Sequence, residues 1–340
     1  MPSIIQFFHP GQEHRYDKKY RDTKPLLKDW NSSDHRRKFL LNEGTYIKND
    51  KKHEGKLLFW GEWEPLSRVE LIKPENQSYS PPYGVNPNYL HIPFLPPIDQ
   101  LRKYHDKGIY QNTDPFIFGN CFIYAICRQK NQSLQELEEG SLIIFGSKVN
   151  HRFVIDTVFV IKSKHKYHSL DDVKKMNLGI YPEIATKFII DKNNQINYPN
   201  GLILYKGATF DDQVNGMYSF LPAKIFSGKV IGFPRFFMPE NFYYTHYKDY
   251  FQRSFIENGM IHEEGMMNFK NNININKNEI FEFWNFLKNE VLKNHVLGVN
   301  FSMPEEEKNL NFDYPFTKFN IRNENFISFL NDNKTHSKKC

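Results

Sequence analysis

Cysteine is scarce, with three in 340 residues at Cys121, Cys127 and Cys340. That count excludes a disulfide scaffold. No apolar run reaches the roughly 18 residues that a membrane helix needs. Met1-Pro2-Ser3-Ile4-Ile5-Gln6 lacks the basic start and apolar core of a secretory leader. The expectation is a cytoplasmic protein with no membrane partner. Also missing are a Walker A loop, G-x-G-x-x-G, G-x-S-x-G and the protein-kinase set. ATPase, dinucleotide oxidoreductase and serine hydrolase chemistry go with them. His9 and His14 do not follow a metal-binding spacing, and Cys121 and Cys127 stand too far apart for a zinc pair. The expectation is no metal and no cofactor, with both cysteines serving as small buried hydrophobes.

What is present is aromatic: 31 Phe and 19 Tyr, in a chain that is 39% hydrophobic and 16% aromatic. A large core built of rings follows, and wholesale disorder is excluded. Lys and Arg number 45 against 39 Asp and Glu, a net charge of +6. The balance is mildly basic, below the level that by itself marks a nucleic-acid binder. The positive charge gathers at Lys18-Lys19-Tyr20-Arg21, at His35-Arg36-Arg37-Lys38 and over Lys162–Lys166. Such clusters suit phosphate contact if they converge in space.

Along the chain, residues 1–56 are polar, and a helix is expected near Asp34–Asn42. Strands are expected at Lys56–Pro65 and Arg68–Ile72, followed by a long Pro- and Tyr-rich loop over 74–100. Gly140–Ser147 and Arg152–Ile161 are the strongest strand signals, preceded by a short helix or turn at Ser133–Glu139. Leu202–Gly207, Met217–Leu221 and Ile231–Phe237 form a second β-rich stretch, with a turn at Asp211-Asp212. Asn278–Asn294 is an amphipathic helix carrying Ile280, Phe281, Trp284, Leu287, Val291 and Leu292 near one face. The expected division is a β-rich part over 1–165, an α+β part over 200–328 and a disordered tail at 329–340, with a boundary in the polar stretch 165–200.

The hairpin Leu137–Ser147 with Phe153–Val160 resembles the PUA-like superfamily, including EVE and ASCH domains, in its glycine-bounded pair of antiparallel strands. Ser141 stands where that family usually has Asp, and Asp156 where Gly is common. The resemblance implies a small β-barrel that binds RNA or a modified or flipped base in an aromatic pocket. With flanking helices and the second β-rich part, the expected class is α+β, strongly β-rich.

Asn112-Thr113-Asp114-Pro115-Phe116 resembles the water-activating motif of uracil-DNA glycosylases, with Asn112-Thr113 replacing the family's Gly-Gln. The resemblance implies that Asp114 positions water and that Phe116 stacks on the base. In Phe59–Pro65, strand alternation places Trp60, Glu62 and Glu64 on one face and Trp63 on the other. Glu62 and Glu64 are therefore further catalytic candidates, and Trp60 and Trp63 stacking candidates. Arg36, Arg37 and Lys38 are candidates to hold phosphates, and His14, Asp17 and His35 are acid–base candidates.

Three readings follow. The first is an enzyme acting on a modified or flipped base in DNA, most concretely by glycosylase-type base excision. Restriction of foreign modified DNA fits that chemistry. The second is a non-catalytic PUA-like reader of modified or single-stranded nucleic acid. The third is a protein-interaction module without nucleic-acid binding.

Overall fold

The computed structural model describes residues 2–8, 37–63, 67–71, 89–95, 113–127, 129, 132–149, 152–179, 182–183, 186, 196, 198, 200–227, 235–238, 267–268 and 276–306. The N-terminal strands are β1 (Ile4–Phe8), β2 (Lys38–Lys48), β3 (Lys51–Gly61), β4 (Ser67–Leu71), β5 (Tyr89–Pro93) and β6 (Ile123–Tyr124). A single helical turn, α1 (Gln132–Gln135), precedes β7 (Leu142–Val149) and β8 (Arg152–Tyr167). Helix α2 (Leu170–Lys175) then leads to β9 (Leu202–Gly207), β10 (Leu221–Ile225), β11 (Phe236–Phe237) and β12 (Met267–Asn268). Helix α3 (Lys277–Leu292) and β13 (Val296–Phe301) complete the order.

The molecule is β-rich, as the strand patterning predicts. One sheet runs β12-β1-β7-β8-β9-β6, with β11 also on β8; the other runs β13-β10-β3-β2-β5-β4. In the second sheet β13 also pairs with β2, so β2, β3, β10 and β13 make a closed circuit of hydrogen bonding. The antiparallel hairpin expected from the apolar runs on either side of residue 150 is present as β7–β8, set in the first sheet between β1 and β9. Both sheets draw strands from either side of residues 165–200: β9 pairs with β8, and β10 with β3. The expected boundary therefore falls inside shared hydrogen bonding. The tail at 329–340 lies outside the described residues.

The run Leu57-Leu58-Phe59-Trp60 is continuously apolar because β3 is buried on both faces. Leu57 and Phe59 join the large core between the sheets, while Leu58 and Trp60 pack with Phe39, Leu41 and Leu90. β8 does the same: Phe159 and Ile161 face the large core, while Val158 and Val160 face α3. Helix α3 begins at Asn276, whose side chain accepts from the Glu279 amide while Glu279 returns the bond. It buries Ile280, Phe283, Trp284, Leu287 and Val291. Phe281, expected on the inner face, is 39% exposed, and Phe283 takes its place.

The helix expected near Asp34–Asn42 is corrected from Lys38 onward. That stretch is the first half of β2, where Phe39, Leu40 and Leu41 are buried in register with Trp60, Phe59 and Leu58. Pairing and burial on both faces override local helix signals. Asn49 and Asp50 turn the hairpin with φ of 51° and 55°, a two-residue loop whose positive φ at both positions suits the strand twist.

His295, between α3 and β13, is half-buried; its Nδ1 has no hydrogen-bond partner among the described residues, and its ring stands edge-on to Phe236. Burial, and secondly the Lys224 charge, lower its pKa to about 4. The unfolded chain binds this proton more readily. Stability is therefore full above the ordinary value near 6.5 and is lost as pH falls towards 4, by up to about 3 kcal/mol. The urea midpoint is expected to drop across that window, and His295→Leu to flatten the drop. An unchanged drop in the variant would assign the acid sensitivity to other groups.

Candidate functional site

Three charged residues, two at the ends of β2 and β3 and one within β8, converge where the two sheets meet. Arg37 immediately precedes β2 and Glu62 immediately follows β3. The Lys38–Gly61 pairing puts both at the open end of the hairpin. Asp156 comes from β8, at a bulge: Phe145 pairs with Thr157 and Gly146 with Ile155, leaving Asp156 as the extra residue. Gly146 is required there, since a Cβ would lie 2.2 Å from the Val154 carbonyl oxygen.

Arg37 Nη1 donates to Glu62 Oε2. Arg37 Nε lies 2.7 Å from Asp156 Oδ2, but no aligned hydrogen bond forms, so this contact is electrostatic. The three residues are 1%, 5% and 1% exposed, so solvent screens none of these charges. Among the described residues Arg37 Nη2 has no hydrogen-bond partner. Asp156 Oδ1 has no well-aligned donor, although the Thr157 amide and hydroxyl are close enough to favour the ionised form.

Burial works against the Arg37 charge, but the Asp156 and Glu62 carboxylates outweigh it and hold the guanidinium above its ordinary pKa. For Asp156 burial wins and pushes the carboxyl up, against the pull of Arg37 and Thr157. With one cation between two carboxylates, the cluster can hold or release a proton at Asp156.

The remaining candidates fall in different places. Lys38 Nζ donates to the Trp63 carbonyl oxygen at 2.5 Å. Arg37 and Lys38, expected on a phosphate-holding face, are thus turned inward and bonded within the protein, because the hairpin end they occupy is buried. Trp60 and Trp63 are also buried. Trp60 Nε1 donates to Ser147 Oγ at 3.1 Å, and the Arg235 guanidinium lies over its ring at 4.8 Å. Trp63 meets Phe118 edge-on at 5.0 Å, and Phe118 lies 5.6 Å from Phe116. β3 ends at Gly61, so the strand does not carry Glu62 beside Trp60. Glu64, His14, Asp17, His35 and Arg36 lie outside the described residues.

Asp114 is separate from the cluster in its bonding. Its Oδ1 accepts from the Ala125 amide at 2.9 Å, and its Oδ2 from the Ile126 and Cys127 amides at 2.8 and 2.7 Å. The carboxylate is 2% exposed. It holds a loop together, where the glycosylase resemblance implied a water-activating group. Tyr124 and Tyr167 donate to the Cys127 and Ala125 carbonyl oxygens, both at 2.7 Å, completing the loop. Cys121 is buried, whereas Cys127 is a half-buried thiol.

Asp156 was not among the sequence candidates. Its signal is a lone carboxylate inside the apolar run Phe153–Ile161; a charge so placed must find a buried partner. Among the described residues, no three His, Cys, Asp or Glu side chains group as metal ligands. Among the described residues no helix is long and apolar enough to cross a membrane. No protein-family model, curated protein or solved structure matches the chain.

Proposed function

We propose that the protein recognises a nucleobase in DNA and that the Arg37–Glu62–Asp156 cluster reads the base. One observation carries this reading: Arg37 Nη2 is a buried donor with no hydrogen-bond partner among the described residues. An unmet buried donor costs about 1–3 kcal/mol, more when charged. A chain needing only a core at this point would gain from apolar side chains of similar size. A ligand that accepts from Nη2 and donates to Asp156 Oδ1 would complete both groups. Donor beside acceptor is the pattern that reads a base edge, as when a guanidinium meets a carbonyl oxygen or a ring nitrogen and a carboxylate meets an amino group. Trp63 next to Glu62, with Phe118 against it, supplies aromatic surroundings. The net charge of +6 favours a polyanionic partner.

The cluster is closed to solvent, so a base reaches it only with an opening of the surrounding protein. Association is then expected below the ~10⁵ M⁻¹s⁻¹ of preformed sites. Base excision is the catalytic form of this reading. Asp156, whose carboxyl burial holds more readily protonated, would act as the acid, and Glu62 would steady the sugar cation.

The test is equilibrium binding to a panel of plain and base-modified duplexes, with mass spectrometry for released base. Wild type is expected to prefer one modified duplex by about tenfold or more, the worth of one good donor–acceptor pair. Arg37→Lys keeps the charge but loses the planar fork, and should abolish that preference while still folding. Free base released from the preferred duplex alone would establish excision. Equal binding across the whole panel would overturn the reading.

A further inference from the structure

The far end of the β2–β3 hairpin carries charge that the rest of the described molecule leaves unbalanced. Lys48 and Lys51 are directly paired across the two strands, so their side chains share a face. Like charges in that position destabilise a hairpin. Among the described residues neither ammonium has an ion-pair partner, and both residues are exposed. The neighbouring Lys52 on the opposite face is different. Its Nζ lies 2.5 and 2.6 Å from the two oxygens of Asp211 and 5.2 Å above the Phe210 ring. Asp50, in the turn, is the nearest carboxylate in sequence, and its charge acts on Tyr218, whose pKa burial first and Asp50 second raise to about 12.

One pair further along the same face, Tyr46 and His53 stack with ring centroids 5.2 Å apart and an interplanar angle of 20°. His53 is exposed and covers the tyrosine. Two adjacent unneutralised ammoniums beside a stacked, solvent-facing imidazole make a surface that combines phosphate contact with a flat ring.

We propose that this face of the hairpin tip, Lys48, Lys51 and His53, contacts the phosphate backbone of the nucleic acid. The proposal rests on the nucleobase reading of the Arg37 cluster. It corrects the location of the phosphate contacts: the basic residues at the buried end of β2 are internal, and those at its exposed end face the polyanion. Tip and cluster lie at opposite ends of the hairpin, so each can be changed without touching the other.

The experiment measures affinity of the full chain for the duplex that wild type prefers, from about 50 to 300 mM salt. Each phosphate contact contributes about 0.9 to the slope of log affinity against log salt. Lys48→Ala/Lys51→Ala is expected to make the slope shallower by roughly 2, with base preference kept. The melting temperature should be unchanged or higher, because like-charge repulsion is relieved. Lys48→Arg/Lys51→Arg should restore the slope, and Lys52→Ala should leave it as in wild type. An unchanged slope in the alanine pair, with wild type still selective for its base, overturns this surface and leaves the Arg37 reading standing. No binding by wild type to any duplex overturns both. A double variant that loses binding to anionic lipid vesicles while its nucleic-acid slope holds also overturns the proposal and assigns the face to a membrane.

Discussion

Arg37→Met is expected to destabilise the protein by about 3–5 kcal/mol, the usual consequence of removing one partner from a buried charge group. The variant leaves the Glu62 and Asp156 carboxylates enclosed without the Arg37 guanidinium between them. The Asp156 carboxyl, which burial pushes up and Arg37 pulls down, would then take up a proton at higher pH than in wild type. The difference between the two proteins should therefore be largest near neutral pH and narrow in acid, as protonation removes the uncompensated charges. Urea unfolding at several pH values measures this directly. Neutralising the whole cluster, with Arg37→Met, Glu62→Gln and Asp156→Asn together, should recover most of the loss, because the cost comes from unpaired charge more than from missing volume. A loss under about 1 kcal/mol, independent of pH, would mean that the three charges are not held together in water-free surroundings. The same triple variant should lose base preference while folding well, and that separates recognition from stability.

The parts of this fold that a sequence discloses are those set by local pattern. The β7–β8 hairpin is written in two apolar runs flanked by Gly140 and the short connection near residue 150, and α3 in its spacing of Ile280, Trp284, Leu287 and Val291. The β2 segment misleads because its apolar triplet Phe39-Leu40-Leu41 is compatible with either period, and only pairing to Leu58-Phe59-Trp60 decides it. The Asn49-Asp50 turn was a usable hairpin signal, with both residues tolerant of positive φ. The cluster could not be read as a cluster. Its members lie 25 residues apart in one pair, and Asp156 is far downstream in the other sheet. A bulge, which no local pattern announces, aims Asp156 at Arg37. The sequence does show three charges each set against aromatic or aliphatic neighbours, and burial with mutual pairing is the physical consequence of that setting. The basic stretch Arg37-Lys38 reads as surface only when its position beside Phe39 is ignored.

Asp114→Ala is the second large effect, and it bears on which carboxylate does what. The substitution removes the acceptor of three backbone amides at Ala125, Ile126 and Cys127. Each buried amide left without a partner costs about 1–3 kcal/mol, so a total of at least about 3 kcal/mol is expected. Asp114→Asn keeps one oxygen but sets an NH₂ against donors, and should cost roughly half as much. Hydrogen exchange should show the amides at 125–127 losing protection first, since Asp114 is what holds them. The Tyr124 and Tyr167 phenols are pushed well above their ordinary pKa by burial first and by the Asp114 charge second. In the alanine variant they stay protonated, because the larger cause remains, and the loop loosens without a new ionisation. A catalytic Asp114 predicts a different pattern: full stability in both variants and complete loss of base release. Stability falling in the order wild type, Asn, Ala would place the carboxylate in the scaffold and leave the chemistry of any excision to Asp156 and Glu62. Unaltered stability with abolished release would return it to Asp114.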